Sequence, residues 1–317
     1  MNYKIGVDIG GTNIKAAVIK NDLYIIERVK CRTNLPRTGK EIEGYIENLI
    51  RILLNKTHLK LEDIKSVGIG APGIVDFKKK IIKYSCNFNW YDKDIVNGLE
   101  KKFKKTVFLE NDANVAAIGE YIYNGYKRID SMIVITLGTG IGAGIIIKDR
   151  LYRGFNLSAA EVGHMVIRSG GRRCSCGQRG CFERYASANG ILKTTKEVIK
   201  KYKDSILWDY LKERGRLTVK SAFEAAKRKD VAALKIIKIF VEDLSVGVSN
   251  LINIFQPQVF IIGGGVSKEG GFFIKALKKA VLNRDYAKKL KNRCELKISK
   301  IGNDAGLIGA ANIFKFV

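Results

Sequence analysis

The chain has 317 residues, 46% hydrophobic and 28% charged, which is long enough for two domains that each bury a core. With three prolines, and no apolar run of signal-peptide or membrane-span length, it excludes Pro-rich linkers and a membrane anchor, so the expected location is the cytoplasm, where cysteines stay reduced rather than paired. The net charge of +26 raises nucleic acid, anionic membranes or polyanions as partners, but the basic residues are scattered ("KKK" at 78–80, "EKKFKK" at 100–105, "KKLKNR" at 288–293) and read as solvated faces.

In chain order, "YKIGVDI" (3–9) predicts a strand, "GGT" (10–12) a turn, and "IKAAVIK" (14–20) a second strand. An amphipathic helix is expected near 39–56, with strands over 66–71 and 106–112 and a helix over 113–125. "MIVITLGTGIGAGIIIK" (132–148) repeats the first pattern of strand, glycine loop and strand. Laid over 8–20, its segment 136–148 aligns Gly10 with Gly138 and Lys20 with Lys148. That shared plan suggests two domains of like design, each presenting a glycine hairpin. Beyond 182 the chain reads as mostly helical, with a long buried helix over 230–255. A strand and glycine turn follow over 258–266, then helices over 269–282 and 303–314, the last rich in small residues. Strands alternating with helices define an α/β protein.

Four stretches carry chemistry. In "DIGGTNIK" (8–15) the turn offers backbone N–H groups to an anion, with Thr12 and Asn13 as further donors. Asp8 is placed for hydrated Mg²⁺ and Lys15 for a phosphate. The spacing is neither a P-loop nor a Rossmann fingerprint, and a glycine turn alone can be no more than a turn. "LGTGIGAG" (137–144) is a second such loop, and "GGG" (263–265) a third glycine site suited to a base or ribose. In "END" (110–112), Asp112 can cap the following helix or serve as a general base, and its position alone does not choose. His164 with Cys174, Cys176 and Cys181 forms a Cys₃His set suited to tetrahedral, structural zinc; the alternative is free thiols on a glycine-rich loop. Glu161 and Glu183 flank that set.

With these motifs laid out, the chain resembles the ROK family (repressors, open reading frames, sugar kinases) over essentially its whole length. "DIGGTNIK", "APG" (71–73), "END", "LGTGIGAGII", "EVGH" (161–164), "CSCGQRGCFE" (174–183), "IIGGGV" and "NDAGLIGAA" fall in the family's order, and the cysteine segment with E-x-G-H is the specific part. The resemblance implies an actin-like, hexokinase-type (ribonuclease H-like) fold of two domains about a cleft. The smaller is expected at 1–112 plus 303–317, and the larger, carrying the zinc loop, at 113–302.

It also implies roles. Asp112 matches the catalytic base. Gly73, Asn111, Asp112, Glu161, His164 and Glu183 match the sugar side, with Asn87 and Asn89 as weaker candidates. Asp8, Gly10, Gly11, Thr12, Asn13, Lys15, Gly138, Thr139, Gly140, Gly264 and Gly265 fall on the nucleotide side. His164, Cys174, Cys176 and Cys181 match the zinc ligands. The activity implied is transfer of the γ-phosphoryl group of ATP·Mg²⁺ to the 6-hydroxyl of a hexose, glucose first. Fructose, mannose, allose, an N-acetylhexosamine, polyphosphate as donor, and a non-catalytic sugar sensor stand as alternatives. The family's repressors carry a winged helix before the first glycine loop. Asp8 stands too early for one, so no nucleic-acid partner is expected, and the expected assembly is a homodimer or homotetramer.

Overall fold

The computed structural model describes residues 3–86 and 88–317, so Asn87 lies outside the described residues. β1 (Tyr3–Ile9) and β2 (Asn13–Lys20) form an antiparallel hairpin, which β3 (Tyr24–Arg32) extends. α1 (Gly39–Thr57) starts at a capping box. The Thr38 hydroxyl accepts from Glu41 N–H, and the Glu41 carboxylate accepts from Thr38 N–H at 2.8 Å. Its buried stripe of Ile42, Ile46, Leu49, Ile50 and Leu53 follows helical spacing. β4 (Ile64–Ala71) pairs parallel with β1. β5 (Ile74–Asp76), β6 (Ile81–Ser85) and β7 (Trp90–Asp94) make a small antiparallel sheet, and α2 (Asn97–Phe103) follows. β8 (Val107–Asn111) pairs parallel with β4 and runs directly into α3 (Asp112–Tyr123).

β9 (Ser131–Leu137), β10 (Ile141–Ile147) and β11 (Arg150–Leu151) come next. α4 (Glu183–Ala186), α5 (Ala188–Val198), α6 (Leu207–Arg214), α7 (Val219–Lys227) and α8 (Val231–Phe255) precede β12 (Val259–Gly263). α9 (Gly270–Arg284), β13 (Glu295–Ile298) and α10 (Asp304–Ala311) end the chain. The two larger sheets have matching orders, β3-β2-β1-β4-β8 and β11-β10-β9-β12-β13. Among the described residues, no helix is long and apolar enough to cross a membrane.

The chain divides into two units, Met1–Val134 with Ala143–Ala160 and Asn303–Val317, and Ile135–Gly142 with Glu161–Gly302. α3, which the sequence reading places at the head of the larger domain, groups with the first unit, because it is pressed against α10. A methyl group on Gly309 would stand 1.6 Å from Val115 O, and one on Gly119 2.0 Å from Ala305 O. α10 lies equally close to the first sheet, where a methyl on Gly68 would meet Ala310 O at 1.8 Å. Helix and sheet backbones touch where side chains are missing. Gly309→Ala is therefore expected to cost about 1–3 kcal/mol by overpacking. Gly44→Ala, on the open face of α1, is expected to gain about 0.5–1 kcal/mol by helix propensity. Urea unfolding of both variants checks this, and a neutral Gly309→Ala would contradict the close approach.

Lys4 is fully buried in β1. It reaches Asp22 and Asn312 (3.4 Å to Oδ1) and stands 4.6 Å from the centre of the Phe314 ring, which ties the C-terminal segment to the first hairpin. Burial, and then the charges of Lys315 and Lys65, lower its ammonium from 10.5 to about 8. Between those two values the unfolded chain binds a proton that the native chain does not, so Lys4 makes stability rise with pH over that window. Lys4→Met is expected to remove that rise. Denaturation of both proteins at the two ends of the window tests it, and a pH-independent difference between them would refute it.

Candidate active site

Within the first unit, the parallel register sets Asp8 beside Gly70, Gly70 beside Glu110, and Ala71 beside Asn111. The glycine turn, Gly73 and the Asn111–Asp112 corner thus leave the sheet at one carboxyl end, where open α/β sheets bind ligands. Asp8 is crowded by protein, and burial pushes its carboxyl up against the pull of Lys15, whose Nζ is 3.4 Å from Oδ2. Lys15, expected on a phosphate, is held by this carboxylate.

Gly10 N–H donates to Asn13 O at 3.0 Å and closes the turn. The buried Thr33 backs it, with its hydroxyl on Gly10 O at 2.7 Å and its N–H on Thr12 O at 2.9 Å. What the turn presents to solvent is Gly11 and Thr12.

The capping role at the corner belongs to Asn111. Its Oδ1 accepts from Ala113 N–H at 2.9 Å and Asn114 N–H at 3.0 Å, and its Nδ2 donates to Gly73 O at 2.9 Å. Asp112 is the first helical residue, its Oδ1 accepting from Ala113 N–H at 2.9 Å. Gly73 has φ +106°, and a methyl there would stand 2.1 Å from Tyr84 O, so only glycine can offer its carbonyl to Asn111 in this way. Behind the corner the buried Glu110 receives Arg153 Nε at 2.7 Å.

In the second unit, the ligand atoms of His164, Cys174, Cys176 and Cys181 all lie within 4.8 Å of one another. His164 Nδ1 is 3.7 Å from Cys174 Sγ, and the sulfurs of Cys176 and Cys181 are 3.6 Å apart. Zinc with sulfur at about 2.3 Å and nitrogen at about 2.0 Å has tetrahedral edges of roughly 3.5–3.8 Å, which these two separations match, and the set of donor types suits that ion. Burial pushes the Cys174 thiol up and Cys181 to about 12. Against its own burial, the Gln178 backbone N–H and the neighbouring thiols draw Cys176 down. The six cysteines are all unpaired.

Glu183 opens α4 and touches two predicted features at once. Its Oε1 is 3.3 Å from Cys174 Sγ, and its Oε2 would lie 2.5 Å from a methyl on Gly140. Gly138 O accepts from Ala188 N–H at 2.8 Å, and Gly138 N–H closes onto Gly140 O at 3.0 Å. Gly163 abuts Ile141 O, and Gly264 (φ +84°) abuts the backbone of Leu137, with Gly265 next in the chain. The second glycine loop therefore packs against both the cysteine segment and the "GGG" turn. Glu161 is exposed at its tip, yet the protein around it raises its carboxyl, with Glu183 adding to the shift and His164 opposing it.

Asn89 sits in an exposed left-handed turn, with its N–H on Cys86 O at 3.3 Å. Thr33, Glu110 and Arg153 are supporting residues that sequence reading does not single out. Glu110 lies inside the quoted "END", whereas Arg153 carries no local signal.

A family model described as the ROK family matches residues 4–316. A glucokinase of Halalkalibacterium halodurans is 36% identical over 99% of this chain and 95% of its own. A xylose repressor of Bacillus subtilis is 30% identical over 98% of this chain and 76% of its own. The solved structure of a ROK glucokinase of Streptomyces griseus, in complex with glucose and AMPPNP, superposes with a TM-score of 0.87 at 32% identity, covering 98% of this chain and 99% of that one. The expected actin-like, hexokinase-type fold is thereby established, and the chain belongs to the ROK family.

Proposed function

We propose that this protein is an ATP-dependent hexose kinase that phosphorylates the sugar 6-hydroxyl, with glucose its first substrate. The observation that carries the reading is the Asn111–Asp112 corner: Asn111 caps α3 and binds Gly73 O, which sets Asp112, the first helical residue, at the carboxyl end of the sheet. The likeness to glucokinases supports the choice of sugar. Asp112 takes the proton of the 6-hydroxyl as that oxygen attacks the γ-phosphorus. The bond from the γ-phosphorus to the bridging oxygen breaks, and ADP leaves. Glu161, Glu183 and the Nε2 of His164 hold the sugar hydroxyls. The turns at Gly11–Thr12 and Thr139–Gly140 face the phosphates, Asn13 and Lys15 flank the first turn, and Gly264–Gly265 adjoin the base or ribose. Mg²⁺, when bound near Asp8, neutralises phosphate charge. His164, Cys174, Cys176 and Cys181 would hold a structural zinc, which would fix the orientation of the His164 ring. Unpaired thiols suit a reducing cytoplasm.

A coupled ADP-release assay over a hexose panel, repeated with polyphosphate as donor, tests the activity. Turnover is expected with glucose and ATP; a sugar-induced thermal shift without turnover on any sugar would point to a sensor instead. Asp112→Ala should lower kcat by about two to four orders of magnitude with the fold intact. Near-wild-type turnover in that variant would remove Asp112 as the base.

Metal analysis of the purified protein should find one zinc per chain. Cys176→Ser should lose it and raise KM for the sugar more than for ATP. A zinc-free wild type would overturn the metal site.

A further inference from the structure

The mechanism above leaves one buried ionic pair without a task. Glu110 is 2% exposed, which makes an unpaired carboxylate there very costly. Its Oε1 accepts from Asn111 N–H and from Asn114 Nδ2, both at 2.9 Å, and its Oε2 accepts from Arg153 Nε at 2.7 Å. The Arg153 guanidinium is itself fixed. Its Nη2 donates to Phe316 O at 2.9 Å, and it stacks 4.1 Å from the centre of the Phe77 ring. Stability does not call for such a pair, since well-packed apolar residues of like volume hold a core at least as well. What the pair supplies is direction. Its contacts converge on Asn111 and Asn114, the residues on either side of Asp112–Ala113.

We propose that Glu110 and Arg153 are positioning residues for the Asp112 carboxylate, an inference that rests on Asp112 being the base. Asp112 Oδ1 is bound to Ala113 N–H, so the carboxylate follows the backbone from 111 to 113. Glu110 holds the N–H of 111 and the side chain of 114, and thereby fixes the angle at which β8 becomes α3. Arg153 carries that hold to the C-terminal segment through Phe316 O. A proton acceptor displaced by about 1 Å costs about 100-fold in rate, so a pair this close to the base sets kcat without touching the sugar.

The test is the full chain with Glu110→Gln, Arg153→Met and Arg153→Lys, assayed for glucose phosphorylation. Glu110→Gln keeps the shape but loses the charge and sets an amide against donors. It is expected to lower kcat by about 10- to 100-fold, with KM for ATP within about twofold. Arg153→Met should fall similarly, and Arg153→Lys should recover at least part of the loss, a rescue that a purely structural filler would not show. If Glu110→Gln does not fold, the Met and Lys variants at 153 decide the matter alone. Turnover within twofold of wild type in Glu110→Gln or Arg153→Met, while Asp112→Ala is inactive, overturns this assignment and leaves the kinase reading standing. A wild-type chain without turnover, or an active Asp112→Ala, overturns both.

Discussion

The first unit depends on one constraint: backbone meets backbone where α10 crosses β1, β4 and α3. Leu307, Ala310, Ala305 and Val115 present carbonyl oxygens into the places where Gly6, Gly68, Gly119 and Gly309 lack a side chain. Packing of this kind has no slack, since neither partner is a flexible side chain that can rotate aside. It fixes α3 against the sheet, and with α3 the register at which β8 turns into the helix. Asp112 stands at that turn, so the placement of the carboxylate proposed as the base is inherited from Gly6, Gly68, Gly119 and Gly309.

In the second unit the ordering element is the Cys₃His set, and its reach is longer than its four ligands. Glu183 stands with one oxygen on Cys174 and the other against Gly140. Ala188, at the start of α5, holds Gly138 through its N–H. A metal held by the cysteine loop would therefore also settle the glycine loop at 138–140. That is why the most reactive side chains of the chain lie one step behind the sugar and phosphate contacts proposed here. The guanidinium groups of Arg168 and Arg172 both lie against the Tyr185 ring, at 4.7 and 4.9 Å from its centre.

The elements legible in the sequence were those with strong apolar periodicity. β1, β2, α1, β9, β10, α8 and α10 lie within a residue or a few of their expected bounds, because each buries a full stripe or face. β3 is absent from the sequence reading: its alternation, "YIIERVKCR", leaves every other residue in solvent, and the charges on that face dilute the signal. The strands β5 to β7 and β13 are three to five residues long, too short to show an apolar pattern of their own, and are set by their neighbours. Among site residues, the clustering of His164, Cys174, Cys176 and Cys181 was legible because their donor types are rare in this chain and close in sequence. Glu110 and Arg153 were not, because 43 residues separate them and only the fold brings their side chains together.

The two glycine hairpins show why thin sequence likeness can still carry structural meaning. Gly10 and Gly138 align with little else identical around them. Yet each follows a strand at the centre of a five-stranded sheet of matching order, β1 in one and β9 in the other. Each turn is closed by a hydrogen bond from its first glycine N–H, to Asn13 O in one case and Gly140 O in the other. Each is backed by a segment from elsewhere in its own unit, Thr33 in the first and Ala188 in the second. What repeats is a tight turn at the end of a strand that leaves one or two residues exposed, Gly11 and Thr12 in the first and Thr139 in the second. The residues that brace each turn are free to differ, because any donor of suitable length serves. The glycines differ among themselves: a methyl on Gly140 would meet the Glu183 carboxylate at 2.5 Å, whereas Gly11 and Gly138 have open space around them.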